Sequence, residues 1–308
     1  MSDRFALREA RIRLTTKCNY HCFFCHEEGG CEAPAAEWKS LHRLLLSLRA
    51  QRRREITFTG GEPRLNKPVL LKALAEIASW DVQPEVTIVT NGSMLDENVI
   101  CALESCQKAK VHVSIHDPQT EAYQTITVQK ARTAEELRPI LKRLSSGRVL
   151  LKLNAVLTRR LVANKGMVID SLLEYALDVG AKRIKFIELF ESPDISSWPL
   201  KPLSVEEMNK VLADRKYVHD SDRDTLRTNF WHTPDGLTLE VTRVSCTLEC
   251  EHCAATFADC FTGATHYHPC FSSPKAIEMD GLSHEDVLFE GEQYLKDQRA
   301  AYHPPHKE

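Results

Sequence analysis

The chain has no apolar stretch long enough to span a bilayer, and its first residues lack the apolar core of a signal peptide. It also lacks a surplus of one charge: 40 Lys and Arg stand against 43 Asp and Glu in 308 residues, so there is no electrostatic case for bulk nucleic-acid binding. Internal repeats and low-complexity segments are absent. A cytoplasmic protein with neither a membrane nor bulk nucleic acid as partner is expected, formed as one large domain or one domain with an appendage. What the chain does have is cysteine, eleven in all, which without a secretion signal argues for metal ligation in a reducing compartment rather than for disulfides. An oxygen-labile site would follow. The run Arg52, Arg53, Arg54 reads as the solvated end of a helix.

Cys18, Cys22 and Cys25 form a C-x3-C-x2-C loop, with Tyr20, Phe23 and Phe24 filling the gaps. Three thiolates are one fewer than a fully protein-bound [4Fe–4S] cluster requires, so one iron would stay open to a small molecule. On spacing alone, a zinc site completed by a distant histidine is the alternative. A second apolar strand runs into Thr59-Gly60-Gly61-Glu62-Pro63. Glycines there allow close approach of backbone to a ligand, and Glu62 can anchor a cationic amine.

Six apolar, β-branched segments are predicted as strands at 11–15, 55–59, 85–90, 110–116, 149–157 and 183–190. Helical patterns at 38–53, 68–79, 96–106, 133–145 and 165–179 separate them. Regular βα alternation implies an α/β fold with a parallel sheet and right-handed crossovers, with ligand groups at the C-terminal ends of the strands. After 190 the pattern breaks in a loop rich in proline and serine. Ser204 and Glu207 then form a capping box that restarts a helix, and 237–244 alternates like a strand. The boundary is placed near 195, giving regions 1–195 and 196–308. The second region holds Cys246, Cys250, Cys253, Cys260 and Cys270 within 25 residues. Buried thiols, a zinc knuckle using His252, His266 or His268, and an auxiliary iron–sulfur cluster are the three readings of that group.

Together the cysteine loop and the Gly-Gly-Glu-Pro segment resemble the radical S-adenosylmethionine (SAM) enzymes. That resemblance implies a partial (β/α)6 barrel, a first [4Fe–4S] cluster on Cys18, Cys22 and Cys25, and SAM bound at its open iron. The chain is similar in particular to the GTP 3′,8-cyclase, or MoaA-like, branch. On that resemblance a second [4Fe–4S] cluster is expected on Cys250, Cys253 and Cys270, with Cys246 as a fourth ligand, in a small cysteine-rich auxiliary-cluster domain. The resemblance also assigns Phe24, Gly60, Gly61, Glu62, Ser114 and Phe190 to SAM, and Arg11, Thr90 and Lys152 to substrate. It implies an electron donor such as flavodoxin or ferredoxin, and a 5′-deoxyadenosyl radical that removes hydrogen from a substrate which then cyclises or rearranges.

Where the cyclase carries three further arginines, this chain has Thr57, Ala255 and Phe257. Arginine is the preferred clamp for triphosphate oxygens, so a nucleotide or nucleoside with fewer charges is expected as substrate. GTP cyclisation, modification of a peptide, and a non-catalytic iron–sulfur or zinc protein are the alternatives.

Overall fold

The computed structural model describes residues 9–25, 35–119, 126, 132–189, 200–225, 227–243, 258–269 and 275–301. Six βα units open the chain: strands β1 (Glu9–Arg13), β2 (Glu55–Thr59), β3 (Glu85–Thr90), β4 (Ala109–Ser114), β5 (Leu150–Val156) and β6 (Arg183–Ile187). Helices α1 (Trp38–Ala50), α2 (Lys67–Ala78), α3 (Glu97–Glu104), α4 (Ala134–Ser145) and α5 (Met167–Asp178) lie between them in sequence. Then come α6 (Val205–Asp214), β7 (Val218–His219), β8 (Thr228–His232), β9 (Thr238–Thr242), β10 (Asp259–Thr262), β11 (His266–His268), β12 (Ile277–Glu278) and α7 (His284–Ala301). One sheet takes all twelve strands in the order β12-β11-β10-β1-β2-β3-β4-β5-β6-β9-β8-β7. From β10 through β9 every neighbouring pair is parallel, and antiparallel strands finish both edges.

The expected α/β fold with a parallel core is therefore present. Strands from both sides of residue 195 share the sheet, since β9 adds to β6 and β10 adds to β1. Alternation along each strand assigns its faces. Ile12, Phe58, Ile88, Val111, Leu153, Phe186 and Leu239 are fully buried and join the helix residues Leu41, Leu44, Leu70, Leu74 and Leu141 in one core. Each such side chain contributes about 1.5–3 kcal/mol by leaving water. Helix starts follow local chemistry: Asp96 caps α3, and Thr133 with Glu136 and Ser204 with Glu207 close capping boxes on α4 and α6, the last as the sequence indicates.

The opposite face carries Arg11, Thr57, Thr87, His112, Lys152, Asn154, Lys185 and Glu240, yet Thr57, Asn154 and Glu240 keep only 5%, 7% and 5% of their surface. Polar groups are buried there because the sheet curls around them. Arg11 on β1 lowers the affinity of Lys185 on β6 for its proton. In a flat sheet, five inter-strand steps would hold those strands roughly 24 Å apart, too far for that influence. This enclosed surface is the inner face.

One expectation is corrected. Helix α1 stops at Ala50, and Arg53, instead of pointing into water, is buried with its Nη1 2.5 Å from Asp259 on β10. Asp259 also accepts from the Tyr267 hydroxyl at 2.9 Å, and Arg53 donates to Gln51 at 2.9 Å. A cation in a sequence run of cations was drawn inward because β10 supplies its counter-charge.

Candidate active site at the C-terminal ends of the strands

The loop bearing Cys18, Cys22 and Cys25 leaves the end of β1 and lies directly against the turn after β2. Gly61 N donates to Thr15 O and Glu62 N to Lys17 O, both at 2.9 Å. A Cβ on Gly60 would stand 2.1 Å from Thr15 O, and one on Gly61 2.2 Å from Lys17 O. Gly60 also holds φ +142°, a conformation side chains rarely adopt. The two glycines thus let the turn seat on the cysteine loop itself, a role beyond the ligand approach expected of them. The thiols influence one another: burial pushes Cys22 up to about 12, with Cys25 and Cys18 adding to the rise. Deprotonating the three thiols together would require a cationic centre between them.

Glu62 is fully enclosed. Its carboxylate accepts from Arg64 N at 3.1 Å, from the Thr90 hydroxyl at 2.8 Å and from Asn91 N at 2.9 Å. Burial nevertheless raises its proton affinity above the usual carboxylate range. The carboxylate thus also ties the end of β2 to the end of β3. Thr90, expected to meet substrate, donates a hydrogen bond from its hydroxyl to Glu62 and accepts one from Gly92 N at 3.0 Å. Its register opposite Val113 puts it on the helix-facing side, away from the inner face. From there Asn91 reaches the cysteine loop, donating to Asn19 at 2.9 Å, while Asn19 donates to Ser93 at 2.9 Å. Tyr20 N points at Cys18 Sγ, 3.3 Å away.

Phe24 projects from the same loop onto His116, just past β4, edge to face at 4.8 Å. His116 Nδ1 accepts from Val156 N at 3.3 Å, and burial pulls the ring down to about 4, so it is neutral with its proton on Nε2. Ser114 ends β4 beside Asn154 of β5, whose Oδ1 is buried without a hydrogen-bond partner. An orphaned acceptor at this depth suits a ligand that brings its own donor, as the ribose or amine of SAM does.

Register places Arg11 on the inner face of β1 and Lys152 on that of β5, each at the third residue of its strand rather than at the C-terminal end expected from the sequence. Sequence reasoning missed their company. Lys110 and His112 of β4, Arg183 and Lys185 of β6 and Glu240 of β9 share that face. Lys152 Nζ lies 2.6 Å from Glu240, and Arg183 3.6 Å from it. Burial, then Lys152, brings Lys185 down to about 8. Burial and the surrounding cations hold His112 well below the ordinary histidine range. The missed signal was register: basic residues two apart on neighbouring parallel strands must point the same way. Phe190, Cys246, Cys250, Cys253 and Cys270 lie outside the described residues, as do Ala255 and Phe257.

A sequence profile of the Radical SAM superfamily matches residues 12–159. A probable GTP 3′,8-cyclase of Thermococcus kodakarensis is 30% identical over 228 residues, 70% of each chain. The chain belongs to the radical SAM superfamily. The corresponding protein of Archaeoglobus fulgidus is 29% identical over 290 residues, covering 90% of both. Among solved structures, Streptococcus suis SuiB bound to S-adenosylmethionine superposes with a TM-score of 0.74 at 14% identity, over 98% of this chain and 70% of that one. Native anSMEcpe with bound AdoMet gives 0.65 at 15%, over 94% and 83%. At such identities these two show the shared fold. Membership of the superfamily implies a [4Fe–4S] cluster and SAM. A three-thiolate cluster would draw on Cys18, Cys22 and Cys25, and among the described residues no three Cys, His, Asp or Glu side chains stand close enough together to hold a metal as placed.

Proposed function

We propose that this radical SAM enzyme acts on a small anionic substrate of the nucleotide or nucleoside class, leading to cyclisation or rearrangement. When bound, the cluster and SAM supply a 5′-deoxyadenosyl radical for hydrogen abstraction. Cys18, Cys22 and Cys25 hold the cluster, and Gly60 and Gly61 keep their loop seated. Glu62 braces the turn from behind through Thr90 and Asn91. Gly60, Gly61, Glu62, Phe24, Ser114 and Phe190 are the proposed SAM contacts, and Asn154 joins them through its orphaned oxygen. An auxiliary [4Fe–4S] cluster on Cys250, Cys253 and Cys270, with Cys246 as the fourth ligand, belongs to the same proposal, as does a flavodoxin or ferredoxin as electron donor.

One observation carries the substrate class: the inner faces of β4, β5, β6 and β9 bear Lys152, Arg183 and Lys185 against the acid Glu240, while Lys110 is paired with Glu85 of β3. A surplus of cations enclosed by the sheet is a seat for phosphate or carboxylate. A second reading, GTP 3′,8-cyclase itself, is favoured by the similarity to the Archaeoglobus protein over 90% of both chains. Against it stand Thr57, Ala255 and Phe257, where the cyclase has arginines.

Anaerobically reconstituted protein should hold about eight irons per chain and release methionine and 5′-deoxyadenosine from SAM under reduction. Replacement of Cys18, Cys22 or Cys25 by Ala should remove half of the iron and all of the cleavage. Cleavage that survives such a replacement overturns the cluster assignment. Efficient conversion of GTP to its cyclised product would favour the second reading over the first.

A further inference from the structure

Glu240 is the one acid on β4, β5, β6 and β9, and it stands beside Lys152, Arg183 and Lys185, while Lys110 pairs with Glu85 of β3. Its Cα is in direct register with Lys185, its Oε2 lies 2.6 Å from Lys152 Nζ, and its Oε1 lies 3.6 Å from Arg183. It keeps 5% of its surface, and the Lys152 side chain 14%. Paired with Lys152 and Arg183, this carboxylate cancels part of the charge that an incoming anion would meet. Its two oxygens sit where phosphate oxygens would otherwise sit on the same ammonium and guanidinium groups.

We propose that Glu240 is a specificity-determining residue: by engaging Lys152 and Arg183 it lowers the anion capacity of the inner face, so that a ligand with one phosphate or carboxylate is accepted in preference to a triphosphate. This rests on the anionic-substrate reading above. The preference arises from repulsion. A monoanion can settle on Lys185 beside a paired Lys152, whereas each additional phosphate brings its charge against the carboxylate. Lys152 therefore has two partners in turn, Glu240 in the free protein and the substrate in the complex, and Glu240 sets how much charge can compete for it.

The test is a binding titration on the reconstituted holoprotein, wild type and Glu240→Gln, with GMP, GTP, inorganic phosphate and tripolyphosphate as probes at fixed ionic strength. Glutamine keeps the shape of the side chain and removes the charge. Affinity for GTP and tripolyphosphate should rise tenfold or more in the variant, and that for GMP and phosphate threefold or less. In a Lys152→Gln background the same replacement should change the ratio by less than threefold, because the lysine through which Glu240 acts has gone. An unchanged ratio of tripolyphosphate to phosphate affinity in a variant with wild-type thermal unfolding overturns the inference. If Glu240→Gln unfolds early, Glu240→Asp serves. The shorter carboxylate keeps its charge, so the wild-type preference for few charges should persist, and its loss counts against the proposal. Should tripolyphosphate respond as expected while no nucleotide binds either protein, the role of Glu240 stands and the nucleotide reading falls.

Discussion

At the β1–β3 end of the strands, polar groups satisfy one another. Glu62 accepts hydrogen bonds from Arg64 N, the Thr90 hydroxyl and Asn91 N, and Asn91 reaches Asn19 beside Cys18. Across β4–β9 the balance differs: with Lys110 taken by Glu85 of β3, Lys152, Arg183 and Lys185 face the carboxylate of Glu240, and burial lowers the proton affinity of Lys152, Lys185 and His112. The first region is complete by itself and fixes backbone; the second is unbalanced and awaits charge from outside. Groups that position a cofactor must be satisfied before it arrives, because a loose loop would make the cofactor's binding energy do the ordering. Groups that bind substrate retain electrostatic surplus, which becomes affinity only in the complex.

The sharpest way to break the first region is Gly61→Val. The new Cβ would meet Lys17 O at 2.2 Å and Lys17 C at 2.4 Å, atoms of the backbone that cannot rotate away. The segment leading to Cys18 must shift, so SAM affinity and first-cluster iron are both expected to collapse, with overpacking costing about 1–3 kcal/mol of stability. Iron analysis and equilibrium dialysis with SAM read the two losses. A variant that keeps all its iron and loses only SAM would mean that the glycines serve the ligand alone.

In the second region, Lys185→Met should weaken binding of an anionic nucleotide by about 1.5–3 kcal/mol, the worth of a charged hydrogen bond, or roughly ten- to 150-fold. SAM affinity should stay as it was. Lys152→Met should cost less, because Glu240 already neutralises that ammonium at 2.6 Å. Isothermal titration of both variants orders them. Equal losses would say that the two lysines contribute alike, and would weaken the distinction between a paired and an unpaired cation.

The two regions also differ in how much the sequence reveals. Cys18, Cys22, Cys25, Gly60 and Gly61 are contiguous or nearly so, and their spacing is imposed by local geometry that only those residue types meet. The six strands and five helices could be read because apolar residues alternate on one face of the sheet and recur every three to four along the helices. Lys185 and Glu240 went unread: they meet across β6 and β9 from positions 55 residues apart, and nothing local distinguishes them from solvated charges. Arg53 was misread for the same reason, its partner Asp259 lying 206 residues away. Local constraint is legible in one chain, whereas a charge acquires its meaning from whatever the fold sets beside it.

The smallest effect, and the one that isolates charge from shape, is pH. Burial, then Lys152, brings the Lys185 ammonium down to about 8, while in the unfolded chain it would keep its proton to about 10.4. An anion seated on it needs the proton, so affinity should fall by about tenfold between pH 7 and pH 9. Stability should move the other way. Between about pH 8 and the ordinary lysine value, the unfolded state binds more protons than the native one, so the Lys185 contribution to stability rises with pH. Loss of affinity in that window is thus separable from unfolding by following thermal denaturation in the same buffers. Lys185→Arg provides the control, because a guanidinium keeps its proton throughout. Its affinity profile should be flat from pH 7 to 9, and a variant profile that still falls tenfold would assign the titration to another group on the inner face.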